Sequence, residues 1–441
     1  MNTRAPLGWF GIVRLGLVQS ALGAIVVLTT STLNRVMVVE VALPAAVPGI
    51  LIALHYSMQI FRPRMGFGSD AGGRRTPFIV GGMAILAVGG ILAAAAIALM
   101  IEHTFLGIAA AVVAFLMIGL GVGAAGTTLL VLLAQRTDER RRAAAATVVW
   151  VMMIAGFIVT SALAGHLLDP FSPTRLILVA SAVSIIAFTI SLVAVWNVEG
   201  IPAPRSTVLI PARQTSFRAA FADVWREPQS RRFAIFIFVS MIAYSAQDLI
   251  LEPFAGLVFG YTPGESTKLS SVQNAGVLVG MVLVALAGSG IRSKSLGSMK
   301  AWTIAGCGAS ALALVGIAMA GLVGPAWPLR ASVFALGVTN GAYAIAAIGS
   351  MMAMVSDGER SREGVRMGLW GAAQALAFGA GGLIGTLASD LARFIVGNPP
   401  LAYSSVFFAE ALLFIVSAVL ALRLQTPQPL SRAFVAPPGR G

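Results

Sequence analysis

Tyr244, Gln247, Asp248, Leu251 and Glu252 follow helical spacing inside one long apolar run of this 441-residue chain. Spacing of this kind puts them on one face. Charged side chains at membrane depth are costly and usually functional, so this face suits proton or ligand binding. Asp248 and Glu252 can also be read as lying near a helix end, hydrated or paired with Arg35. Arg35 and Glu40 are a candidate charge pair in their own right. Most other apolar runs hold no charged residue, which makes this run the exception.

A second stripe contains Pro48, His55, Gln59 and Arg62. His55 lies near the middle of its run, where a neutral imidazole can give one uncharged donor to the magnesium of a chlorin ring. A histidine that only bonds a neighbouring helix is the blander account and the one the position alone favours, and the residues leave both readings open. Gln273, Asn274, Asn340, Tyr343 and Gln374 are placed either to line a central cavity or to bridge helices. Cys307 is the one cysteine, which excludes disulfides within the chain and makes a zinc cluster untenable. The chain has no G-x-x-x-x-G-K-[ST] for a nucleotide, no H-E-x-x-H and no G-x-S-x-G elbow. It is expected not to be an enzyme.

The elements that must position these residues follow from composition. Hydrophobic residues make up 58% of the chain and charged ones only 11%, far below the roughly one quarter of soluble domains. The apolar residues fall in blocks long enough to cross a bilayer of about 30 Å as helices. Spans are predicted near 15–38, 46–61, 78–101, 106–134, 143–168, 174–197, 232–258, 269–290, 300–323, 328–355, 365–389 and 401–423. The start, with Trp9 and Phe10 between Arg4 and Arg14, reads as a short interfacial helix leading into the first span, with no cleavable signal.

Of the 30 Lys and Arg residues, Arg35, Arg175, Lys268, Arg330 and Arg393 lie in the odd-to-even loops, and the other 25 lie on the opposite side. This asymmetry predicts both termini in the cytoplasm. It also spreads the net charge of +13 over short loops, which suits anionic lipid head groups rather than nucleic acid. Arg140, Arg141 and Arg142 make one basic loop able to dock a partner enzyme.

Glu139, Arg140, Arg142, Trp150 and Gly165 recur as Glu359, Arg360, Arg362, Trp370 and Gly385, each pair 220 residues apart. Duplication is the economical explanation. The chain thus divides into a six-helix half at 1–197, a linker at 198–231 and a second six-helix half at 232–423, with a disordered tail at 424–441. Phe217, Phe221, Val224 and Trp225 suggest an interfacial helix in the linker. An all-α membrane protein with two pseudo-symmetric halves is the major-facilitator plan. Gly66, Asp70, Gly73, Arg74 and Arg75 resemble that superfamily's cytoplasmic signature loop, G-x-x-x-D-x-x-G-R-R. The equivalent Gly290-Ile-Arg292-Ser-Lys294 lacks the acid, and a second signature in span five is partial, with Asp169 where a glycine is usual.

Longer motifs are more specific. Leu33-Asn34-Arg35-Val36-Met37-Val38-Val39-Glu40 with Leu43-Pro44-Ala45, and Ala53-Leu54-His55-Tyr56 leading to Arg62-Pro63-Arg64, resemble the PucC/LhaA family of phototrophic bacteria. So do Gln247-Asp248-Leu249-Ile250-Leu251-Glu252-Pro253-Phe254 and Gly264-Glu265-Ser266-Thr267. The resemblance covers essentially the whole chain. It implies a major-facilitator-like fold and an inner or intracytoplasmic photosynthetic membrane. It further implies binding or delivery of bacteriochlorophyll or a precursor, with antenna polypeptides or pigment-synthesis enzymes as partners. One branch of the family is associated with bacteriochlorophyll synthesis as a non-catalytic subunit. His55, Gln59, Tyr244, Gln247, Asp248, Glu252 and Gln374 are then the candidate pigment-contacting residues, with His55 on the pigment magnesium. A proton-coupled transporter using Asp248 or Glu252 is the alternative.

Overall fold

A computed structural model describes residues 7–61, 74–138, 141–199, 225–288, 298–356 and 363–424. The chain is an all-α, multi-pass membrane protein. Its helices are α1 (Trp9–Val27), α2 (Ala46–Ser57), α3 (Thr76–Glu102), α4 (Thr104–Arg136), α5 (Arg142–Leu167), α6 (Pro173–Val195), α7 (Pro228–Phe259), α8 (Pro263–Gly288), α9 (Met299–Val323), α10 (Leu329–Ser356), α11 (Glu363–Val396) and α12 (Pro399–Leu422). Eleven are long and apolar enough to cross a bilayer. Helix α2 is shorter among the described residues and passes into a 3₁₀ turn at Met58–Phe61. The predicted signature-loop residues Gly66, Asp70 and Gly73, most of the linker and the tail lie outside the described residues.

Two expectations change. The start forms no separate interfacial helix: from Trp9 the chain runs as one helical span to Glu40. Nothing between Phe10 and Leu22 breaks an α-helix, and Gly11 and Gly16 are tolerated in its interior. Nor is span seven alone in carrying charge, because Glu410 lies in the middle of α12 and is only 3% exposed.

Local signals set the helix ends. Ser172, Ser298 and Asn398 each accept the backbone N–H three residues on, at 3.1–3.2 Å, which satisfies a donor the helix cannot. Thr262 and Glu265 form a reciprocal capping box at the head of α8, at 3.0 and 3.1 Å. Gly260 ends α7 in the left-handed region at φ 68°, where a side chain would be strained.

Packing repeats between halves. Helices α1 with α5, α1 with α6, α2 with α4, α3 with α4 and α3 with α6 are neighbours. Each pairing recurs six helices later, as α7 with α11, α7 with α12, α8 with α10, α9 with α10 and α9 with α12. The halves meet along α5–α8 and α2–α11. Each half has its own apolar core. Without a hydrophobic drive between lipid-soluble helices, close backbone approach must hold them. At the α8–α10 crossing a Cβ on Gly280 would stand 2.8 Å from the backbone nitrogen of Ala342.

Gly81 and Gly82 separate intrinsic helix propensity from this packing. A Cβ at Gly82 would meet the Ala125 backbone nitrogen of α4 at 2.6 Å, whereas one at Gly81 meets nothing within 4 Å. Gly82→Ala is expected to destabilise the purified protein by about 1–3 kcal/mol through overpacking. Gly81→Ala should be neutral or stabilising by up to about 1 kcal/mol. Thermal unfolding in detergent reads both, and equal midpoints would refute backbone contact as the cause.

Candidate functional site

The first site is a polar seam between the halves. After Val27 the first span widens into π turns at Leu28–Leu33 and Val36–Glu40. Such turns rotate successive side chains out of the ordinary register and are frequent at functional sites. Here Ser31, Thr32, Asn34 and Arg35 all reach the C-terminal half. Ser31 Oγ and Ser270 Oγ of α8 both donate to Glu252 Oε1 of α7. The two hydroxyls stand 2.9 Å apart. Thr32 meets Thr267 at 2.9 Å, and Asn34 Nδ2 donates to the Leu249 carbonyl at 2.7 Å.

Arg35 is 2% exposed. It pairs with Glu40, as the sequence suggests, and donates its second nitrogen to the Tyr261 carbonyl at 2.6 Å. Asp248 and Glu252 are therefore not its ion-pair partners. Further along this end, Asp390 of α11 accepts the backbone N–H groups of Ala45 and Ala46 at 3.0 and 2.8 Å. A carboxylate from one half thus caps the first turn of α2 in the other, where the helix dipole favours negative charge. A cleft of about 480 Å³ opens beside it, lined by Leu43, Pro44, Arg393 and Phe394 among others. Lys268 and Asp169 add a cross-half ion pair at 3.9 Å.

The second site is an aromatic chain across the centre. His55 lies edge-on to Tyr56 at 4.9 Å, Tyr56 lies against Phe378 of α11 at 5.9 Å, and Phe378 meets Tyr244 at 5.8 Å. One turn on from Tyr244, Asp248 accepts from Gln273 Nε2 at 3.2 Å. Tyr56, Tyr244, Asp248 and Phe378 are half-buried, as is Gln59. The span-seven residues do not share one face. Tyr244 and Asp248 face this centre and Glu252 faces the seam, while Gln247 turns into the C-terminal core at 0% exposure. Gln374 lies apart, its amide 4.0 Å from Met241 Sδ.

A chlorin offers a test of these residues. Half-buried Tyr56, Phe378 and Tyr244 suit the face of a flat apolar ring. His55 does not fit as its axial ligand here, because it is 3% exposed. The helix around it lies hard against α4, where a Cβ on Gly119 would stand 2.5 Å from the His55 carbonyl. Among the described residues, no group of three or more His, Cys, Asp or Glu side chains is placed to hold a metal ion.

Of the signature loop, Arg74 and Arg75 are described. The Arg75 and Thr76 backbone N–H groups donate to Glu199 at the end of α6, the latter at 2.8 Å, and so does the Thr76 hydroxyl at 2.7 Å. Sequence reasoning missed Ser31, Ser270, Tyr56, Phe378, Asp390 and Glu410. Hydroxyls and aromatics carry little signal among so many apolar residues. An acid within a span does carry one, and Asp390 and Glu410 were open to it.

Comparison with known proteins follows this geometry. The D-xylose–proton symporter superposes with a TM-score of 0.72 at 12% identity, covering 95% of this chain and 98% of that one. The peptide transporter POT gives 0.69 at 15% identity, over 95% and 96%. These likenesses establish the major-facilitator fold. The bacteriochlorophyll synthase 44.5 kDa chain of Rhodobacter capsulatus is 51% identical over 418 residues, 94% of this chain and 95% of that one. Protein PucC of Cereibacter sphaeroides is 31% identical over 438 residues, 94% and 91% of the two chains. The family model described as PUCC protein matches residues 32–428, most of the described molecule, with the aromatic centre and every seam residue but Ser31, and the chain belongs to that family.

Proposed function

We propose that this protein binds or delivers bacteriochlorophyll, or a precursor, during pigment synthesis or antenna assembly, as a non-catalytic member of a photosynthetic inner membrane. The observation that carries this reading is the near full-length 51% identity to a relative named as a bacteriochlorophyll synthase chain. The aromatic chain from Tyr56 through Phe378 to Tyr244 supports it with a surface suited to a flat ring. His55, Gln59 and Asp248 border that surface, and Glu252 would hold the seam closed beside it. Gln247 and Gln374 were also candidates, but they face the C-terminal half and are less well placed.

Contact between pigment and His55 requires α2 to part from α4. The positive-inside pattern supports cytoplasmic termini. Antenna polypeptides or pigment-synthesis enzymes are the proposed partners, docked on the basic loop at Arg140–Arg142. Anionic lipid would neutralise the remaining basic loops.

Glu252 favours one second reading. A buried carboxyl bridging the halves is a natural control point for a proton-coupled transporter. Reconstituted vesicles distinguish the two: saturable uptake of an amphipathic solute driven by a pH gradient, lost in Glu252→Gln, would support transport over delivery.

Three outcomes are expected from the pigment reading. Protein purified from pigmented cells should show chlorin absorption or bring antenna or synthesis proteins with it; a colourless preparation without partners would refute the reading. Tyr56→Ala combined with Phe378→Ala should lower pigment occupancy at least tenfold, a loss of about 1.4 kcal/mol or more. His55→Leu should preserve insertion but lower occupancy, and unchanged occupancy would leave His55 a packing residue.

The closed conformation gives a further expectation. A Cβ on Gly49 would stand 3.1 Å from Thr386 Cβ across the α2–α11 contact, inside the roughly 3.5–4.5 Å of disulfide-linked Cβ atoms, so a small outward shift brings the pair into range. Oxidising a Gly49→Cys/Thr386→Cys protein should block pigment loading, and reduction should restore it. Equal loading in both redox states would show that α2 need not move.

A further inference from the structure

Four helices of the C-terminal half enclose polar atoms that nothing satisfies. Glu410 of α12 is 3% exposed, and neither carboxyl oxygen has a hydrogen-bond partner. Gln247 of α7 is 0% exposed, and both its amide nitrogen and its oxygen are likewise without partners. Asn340 of α10, also fully buried, accepts a hydrogen bond from Ser310 of α9 at 2.8 Å and leaves its own Nδ2 unused. A buried amide or carboxyl without a partner is destabilising, and a charged one far more so. Three such groups in one region are unusual for an ordinary core.

Their register puts them at one level. Phe254 of α7 packs on Phe407 of α12 with ring centroids 5.1 Å apart. About four turns back along α7, Ser240 accepts the Tyr343 hydroxyl at 2.5 Å, and Tyr343 packs on Phe414 at 6.0 Å. Gln247 is midway between Ser240 and Phe254, and Glu410 lies between Phe407 and Phe414, so the two residues share a height in these antiparallel helices. Asn340 precedes Tyr343 by one turn on α10, which runs parallel to α12, and reaches the same height.

Among the described residues, no positive side chain is hydrogen-bonded to Glu410. Arg423 is 13 residues from Glu410 along the chain, roughly 20 Å at helical rise. Lys300 and Arg330 stand at the opening turns of α9 and α10. The titratable groups packed around this level are Asp248 and Tyr244 on α7, Cys307 on α9, Tyr343 on α10 and Tyr403 on α12. Asp248 is near enough to interact electrostatically with Glu410, and it shares that carboxyl's sign.

We propose that Glu410, Gln247 and Asn340 form an enclosed site for one small monovalent cation, a proton or a sodium ion, with accompanying water. The two Glu410 oxygens, Gln247 Oε1 and Asn340 Oδ1 supply oxygen ligands to sodium. With a proton instead, Glu410 donates its O–H to Gln247 Oε1. In either case the Gln247 and Asn340 N–H groups bind water. The site is separate from the aromatic centre and does not depend on pigment binding.

Thermal unfolding of the full-length protein in detergent tests it, with sodium chloride against choline chloride and across pH. A cation held by the folded state and released on unfolding raises stability as its concentration rises. If sodium is the ligand, it should raise the wild-type midpoint by a few degrees at fixed pH while leaving Glu410→Gln unmoved. If a proton is the ligand, falling pH should raise the wild-type midpoint without a sodium effect, again not in Glu410→Gln. Parallel responses of the two proteins to both ions would overturn the site.

Should Glu410→Gln fail to fold, the wild type alone still decides. A hydrophobic carbodiimide should modify Glu410 by peptide mapping, and sodium should protect it in the first case only. Modification confined to Asp248 and Glu252 would overturn the proposal.

Discussion

One carboxyl oxygen, Oε1 of Glu252, accepts hydroxyls from both halves, and closure of one end of the molecule depends on it. Ser31 arrives from the π turn that follows α1, and Ser270 from α8. In a dry seam each hydroxyl would lose its water without recompense unless it met such an acceptor. The remaining seam contacts lie within a turn or two of this point: Thr32 on Thr267, Asn34 on the Leu249 carbonyl and Arg35 on the Tyr261 carbonyl. Asp390 extends the same end by capping α2 from the other half. Side chains of both halves carry this recognition, and backbone groups of Leu249, Tyr261, Ala45 and Ala46 complete it.

The first span is irregular where it meets the partner half. Its π turns lie between Leu28 and Glu40, the stretch from which Ser31, Thr32, Asn34 and Arg35 all bond across the seam. The cost is a weaker backbone ladder, and buried Thr29 returns part of it by donating to the Ile25 carbonyl at 2.8 Å.

The spans were legible because bilayer thickness imposes a length and an apolar composition that few other constraints mimic. Their ends were less legible: the span read from 269 begins at Pro263, where Thr262 and Glu265 form a capping box. The duplicated pattern around Arg142 and Arg362 pointed to the pairing of helices six apart, since a repeated sequence repeats its contacts. The sites were less legible. Helical spacing grouped Gln247 with Asp248 and Glu252, but residues one and five positions apart diverge by about 100° and 140° on a helix. In a bundle contacted from every side those angles lead to three different neighbours. Arg35 and Glu40 paired as the sequence suggests because they are close in the chain. Ser31 and Ser270, 239 residues apart, offered no comparable clue.

The distribution of acids carries the last step. Among the described residues, the acids before the linker, Glu40, Glu102, Asp138, Asp169 and Glu199, lie at helix ends or in loops. The C-terminal half instead holds Asp248, Glu252, Asp390 and Glu410 within helices. Duplication preserved the packing of the two halves without preserving this chemistry. An apolar six-helix half is enough to bury its own backbone and to span a membrane, so stability alone does not call for those four acids. Asp390 and Glu252 are accounted for by closing the seam, and Asp248 by facing the centre beside Gln273. Glu410 serves neither, since it is enclosed on all sides by helices of its own half. A charge retained at that depth without a partner in the chain requires one from outside it, and the N-terminal half, which has no such residue, requires none.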